Sequence, residues 1–72
     1  MELKVGDEVY MDGYTSIAQQ NAGKEEIKAI DYRFDEITGE KFPIFKINND
    51  WFDGRDGSCY SNKNLMYYID FN

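Results

Sequence analysis

Turn-forming residues cut this chain into runs too short for helices. "DEITG" (Asp35–Gly39), "NND" (Asn48–Asp50) and "DGRDG" (Asp53–Gly57) each cluster the Asp, Asn and Gly that reverse a backbone. Between them, β-branched and aromatic residues alternate with polar ones, the two-residue period of a strand. The best helical stretch is "SIAQQN", Ser16–Asn21, which supports one or two turns inside a loop bracketed by Gly13 and Gly23. The pattern predicts an all-β domain.

The strands follow from the alternation. In "DEVYM", Asp7–Met11, Val9 and Met11 share one face while Glu8 and Tyr10 share the other. A polar loop from Asp12 to Gly23 comes next, a length that often carries function. "KEEIKAIDYRF", Lys24–Phe34, predicts the longest strand. Its apolar positions change face midway, from Ile27 and Ala29 to Ile30, Tyr32 and Phe34. One extra residue near Lys28–Ala29 returns both groups to the core, which is the work of a β-bulge. Asp35 suits the cap of a hairpin turn and Gly39 its positive-φ position. Strand "EKFPIFKI", Glu40–Ile47, is apolar on both faces, and Pro43 requires a place where no ladder bond is asked of its nitrogen. "WFD" opens a fourth strand, "SCY" continues it past the "DGRDG" turn, "SNKNL" predicts one helical turn, and "MYYID" closes the series.

At 72 residues the chain predicts a single domain over residues 1–72. A domain this small buries little of its surface and needs another source of stability. One Cys and no His exclude an internal disulfide and a conventional zinc site. The twelve aromatic residues are the remaining resource. A lone Cys suits a reducing compartment. No apolar run approaches the ~20 residues of a membrane span, and "MELKVGDE" lacks a signal core. A cytoplasmic location is expected.

Fourteen acidic residues oppose eight basic ones, for a net charge of −6. Binding to phosphate backbones or anionic membranes needs the opposite sign, so neither direct nucleic-acid nor membrane contact is expected. A protein partner with a basic surface is compatible with the charge.

The layout of strand, long loop, long bent strand, two hairpins and a helical turn before a final strand resembles the SH3-like small β-barrel superfamily. "KVGDEVYMDG", Lys4–Gly13, is similar to the Val-Gly-Asp-x-Val opening of many such barrels, and "NKNLMYYI" supplies the turn before the last strand. The resemblance implies a five-stranded SH3-like barrel with one short helical turn before the last strand. The loop "YTSIAQQNAGKEE" lacks the basic or glycine-rich character of the KOW-type modules in that superfamily. The Ala-Leu-Tyr-Asp-Tyr opening and Trp-Trp pair of signalling SH3 domains are missing too. Neither RNA contact nor polyproline binding is carried over. A small twisted sheet completed by a second copy is the alternative architecture.

Chemistry is sparse. Asp50, Asp53 and Asp56 are three apart, with Trp51 and Phe52 intervening. A calcium loop spaces its acids closer and adds a Glu, so turn formation accounts for them. Cys59 has no His to activate it and sits in a strand-like run, as a buried thiol would. No phosphate loop or dinucleotide fingerprint occurs. No catalytic, metal or cofactor residue is expected, nor any enzyme activity. The feature that bears on function is an acidic exterior carrying rings. Tyr10, Tyr14, Trp51, Asp53, Asp56, Tyr67 and Tyr68 are the candidate protein-binding residues. Adjacent Tyr67 and Tyr68 point opposite ways in a strand, so one should face outward. The expected function is a non-enzymatic module that docks on another protein. Its size and acidity resemble small phage or mobile-element accessory proteins that bind and inhibit a host protein. The alternatives are an acidic DNA mimic and a small-ligand-binding or sequestering protein, with a homodimer open to any of them.

Overall fold

The alternation at "EVYMDG" makes β1, Glu8–Gly13, with Val9, Met11 and Gly13 buried and Glu8 and Tyr10 exposed on the opposite side. Gly6, at φ 94, turns the chain ahead of it. The computed structural model describes residues 2–71. After β1 come α1 (Ser16–Gln20), β2 (Gly23–Glu26), β3 (Ala29–Phe34), β4 (Lys41–Ile47), β5 (Asp50–Asp53) and β6 (Tyr67–Asp70). The fold is all-β apart from that one short helix. The strands form two antiparallel three-stranded sheets, in the orders β2-β1-β6 and β3-β4-β5.

The Lys24–Phe34 run is two strands rather than the single bulged one expected. Ile27 and Lys28 form the changeover between sheets. On the β1 side, the Ile27 N–H donates to the Asp7 carbonyl at 2.9 Å, and the Ile27 carbonyl accepts the Gly6 N–H at 3.0 Å. On the β4 side, the Lys28 N–H donates to the Lys46 carbonyl at 2.8 Å. Changing sheets solves the broken alternation: Ile27 is fully buried, and Ile30 packs against the same core.

The turns follow their residues. Asp35 Oδ1 accepts the Ile37 and Thr38 N–H groups at 2.8 and 2.9 Å, and Gly39 takes φ 72. Asn48 takes φ 56 between β4 and β5. Pro43 lies in the middle strand of its sheet, just beyond the last residue paired with β5. There its carbonyl accepts the Gly54 N–H at 2.8 Å. In the loop after β1, the Thr15 hydroxyl caps α1 by accepting the Ala18 N–H at 3.1 Å. Ala18 is buried against Gly13, where any side chain would lie within 2.8 Å of helix backbone.

Two expected elements are absent. "SNKNL" is one hydrogen-bonded turn, Leu65 N–H to Asn62 carbonyl at 3.1 Å, and no helix forms there. The Asn62 side chain takes the Asn64 N–H at 3.1 Å, a local bond that favours a turn over helix. "SCY" makes a single bridge, Phe52 to Cys59, instead of a continued strand.

The core lies between the sheets: Val9, Met11, Ile27, Phe45, Ile47, Phe52 and Ile69. β4 also buries its second face. Phe42 and Ile44 are both buried there, and Phe42 lies under the chain after β5, with the Arg55 guanidinium 3.6 Å from its ring centre and Tyr60 edge-on at 6.3 Å. Gly57 joins the sheets at the far corner. Its N–H donates to the Asp53 carbonyl and its carbonyl accepts the Ile69 N–H, both at 2.8 Å. The sheets thus meet at Ile27–Lys28 and at Gly57, without a ladder of named strands running round the whole perimeter.

Candidate functional site

Strand faces place the candidate surface. Tyr10 projects from the exposed face of β1, and Tyr32 from the β3 face that carries Ile30 toward the core. Between them lies an open groove of about 940 Å³. The buried Val9 and Phe45 line it together with Tyr10, Tyr32 and Phe71, which are 44%, 50% and 44% exposed. Phe71 meets Phe45 edge-on at 6.5 Å. Pro43 and Gly54 extend the lining. Three carboxylates, Glu2, Glu8 and Asp70, line it against one guanidinium, Arg55. That guanidinium is already engaged, by Asp53 at 2.7 Å and Asp35 at 3.0 Å. The groove is rich in rings along its lining and negative in its balance.

The outer face of the first sheet continues this character. Cross-strand register sets Tyr10 between Lys24 and Asp70, Glu8 opposite Glu26, and Asp12 opposite Tyr68. The Tyr14 and Tyr68 rings lie 4.7 Å apart, tilted 38°. Loss of solvent, then the Asp12 and Asp70 charges, push the Tyr68 phenol above its usual range.

No family model, curated protein or solved structure matches this chain.

The structure distributes the seven candidates. Tyr10 lines the groove. Tyr14 and Tyr68 form the ring pair beside it, and Tyr67 turns inward onto the core. Trp51 is half-buried on β5, outside the groove lining, and its carbonyl accepts the Tyr60 N–H at 2.7 Å. Asp53 is only 7% exposed and holds Arg55 through the side chain and through the Arg55 backbone N–H at 2.8 Å. Burial raises the Asp53 carboxyl, but the Arg55 hydrogen bonds and charge outweigh it and hold the group below the usual carboxylate value. Asp53 is therefore a cross-tie whose carboxylate is bonded to Arg55. Asp56 is exposed but bonded to the Ser58 N–H and hydroxyl at 2.9 and 2.8 Å. Among the described residues no group of three or more acids, Cys or His is placed to hold a metal, and no helix is long and apolar enough to cross a membrane.

Cys59 is half-buried, packs on the core, and directs its Sγ to the Trp51 carbonyl at 3.5 Å. It borders a second hollow of about 250 Å³ with Tyr14 and Lys63, below the ~300 Å³ of ordinary small-molecule sites. Tyr32 and Phe71 were not among the candidates. Their signal was the surplus of rings over core volume, since a small domain cannot bury every aromatic residue it carries.

Proposed function

We propose that this chain is a non-enzymatic protein-binding module whose groove receives an extended, cationic and apolar segment of another protein. One observation carries the reading: three half-exposed rings line one groove with buried apolar residues, and carboxylates outnumber cations among the lining residues. Aromatic side chains give area at small entropic cost, and the charge steers a basic partner and excludes phosphate backbones. An open groove suits a chain segment better than an enclosed small molecule. Counting β2 and β3 as one strand bent at Ile27–Lys28, the element order also supports the five-stranded SH3-like layout. The half-buried single thiol suits a reducing cytoplasm.

Titration of the isotope-labelled protein with a synthetic peptide of alternating Lys and Leu tests this. Amide shifts should concentrate at Tyr10, Tyr32, Asp70 and Phe71, and Tyr10→Ala should weaken binding by about tenfold or more, the cost of losing one aromatic anchor. Shifts spread evenly over the acidic residues, with no loss on Tyr10→Ala, would leave only nonspecific charge attraction and reject the groove.

A further inference from the structure

The outer edge of β3 is closed by its own side chains. β3 is an end strand of its sheet and pairs only with β4. Tyr32 turns both of its backbone groups away from β4. The Asp31 Oδ1 accepts the Tyr32 N–H at 2.8 Å, and the Arg33 Nη1 donates to the Tyr32 carbonyl at 2.8 Å. The two side chains also bond each other at 2.9 Å. Together they supply Tyr32 with what a neighbouring strand would supply, a way of blunting an exposed edge.

The residues around this clip are self-complementary. In "IDYRF", Ile30–Phe34, an antiparallel pairing with itself centred on Tyr32 sets Ile30 against Phe34 and Asp31 against Arg33. One face then aligns the apolar row Ile30, Tyr32 and Phe34, of which Tyr32 and Phe34 are 50% and 66% exposed. The other face aligns opposite charges. An isologous two-fold contact requires this kind of self-match.

We propose that the β3 edge is a homodimer contact. Two copies pair β3 to β3 about Tyr32, and Asp31 and Arg33 release their own strand to bond the partner's Arg33 and Asp31. Each backbone group exchanges a side-chain partner for a strand partner, so the net gain comes from the apolar row and the association is weak and concentration-dependent. The contact shares Ile30 and Tyr32 with the groove lining, but it is tested on the strand's backbone edge and on Asp31 and Arg33, which the groove does not use, so either reading can fail alone.

Sedimentation equilibrium of the full chain, from micromolar to millimolar, tests this together with amide hydrogen exchange. The expected result is a monomer–dimer equilibrium in which protection at Tyr32 and Phe34 rises with concentration. Arg33→Asp sets carboxylates opposite each other and should weaken the dimer by about tenfold. The double exchange Asp31→Arg with Arg33→Asp should restore it. A wild type that stays monomeric at millimolar concentration, or a dimer whose Tyr32 and Phe34 amides gain no protection, overturns the proposal. So does a folded double exchange no stronger than Arg33→Asp alone.

Discussion

Replacing Gly57 with Ala should cost this domain about half of its stability or more. Gly57 sits at φ 87, where a side chain costs about 1–2 kcal/mol of backbone strain. The added methyl would also lie inside contact distance of the Ile69 carbonyl oxygen, 3.0 Å from its carbon and 3.3 Å from its Cβ. β6 must then retreat. That breaks the bond from the Ile69 N–H to the Gly57 carbonyl, worth about 0.5–1.5 kcal/mol net. It also disturbs Ile69, which is 1% exposed, at a cost of about 1–3 kcal/mol for overpacking. The sum is about 2.5–6.5 kcal/mol, against about 4–11 kcal/mol for a domain of this length. Gly39→Ala is the control. Gly39 sits at φ 72 with nothing within 4 Å of an added methyl, so it should cost the strain alone, about 1–2 kcal/mol. Urea unfolding followed by the fluorescence of Trp51, the single tryptophan, compares the two. Equal losses at the two positions would refute Gly57 as the corner that holds the sheets together.

The changeover predicts a similar contrast. Ile27→Ala should cost about 2–5 kcal/mol, whereas Ile37→Ala, at a side chain 95% exposed, should stay within about 0.5 kcal/mol in the same assay. The Asp53 tie predicts acid sensitivity. Its folded pKa is lowered, so its contribution is complete above the unfolded value and disappears as pH falls through the folded one. Asp35 shifts in the same direction, held first by the Thr38 and Ile37 N–H groups and then by Arg55. Thermal midpoints should therefore drop as pH falls below the ordinary carboxylate value of 3.8. Asp53→Asn should cost about 1.5–3 kcal/mol at neutral pH and flatten part of that acid limb. An unchanged limb in Asp53→Asn would show that the tie carries no pH-dependent stability.

Local chemistry was legible in the sequence wherever one residue decides the backbone. Gly39 and Asn48 adopt the positive φ their turns require, Asp35 caps its hairpin, and Val9 and Met11 face inward as the alternation dictates. The face change after Ile27 was legible as an interruption, but not in kind. A bulge and a change of sheet both return Ile30 to the core, and only the position of β4 decides between them. The role of Arg55 was hidden for a related reason. Its partners Asp35 and Phe42 lie in other elements, and nothing in "DGRDG" names them. "SNKNL" misled because Asn and Ser serve a turn and a helical first turn equally well. The groove was half legible. The excess of rings pointed to a ring-bearing surface, yet Tyr32 and Phe71 reach it only through the divergence of two sheets.

The pairing of Tyr10 with Asp70 has a consequence for how the chain is made. A ribosome delivers β1 before β6, with β2 as its first neighbour, and β1 then waits while the whole second sheet is synthesised. Only when Tyr67–Asp70 emerges does Met11 gain Ile69 across the ladder. Until then β1 and β2 leave the apolar Val9 and Met11 uncovered, and the carboxylates of Glu8, Glu25 and Glu26 on the same two strands keep that unfinished sheet in solution.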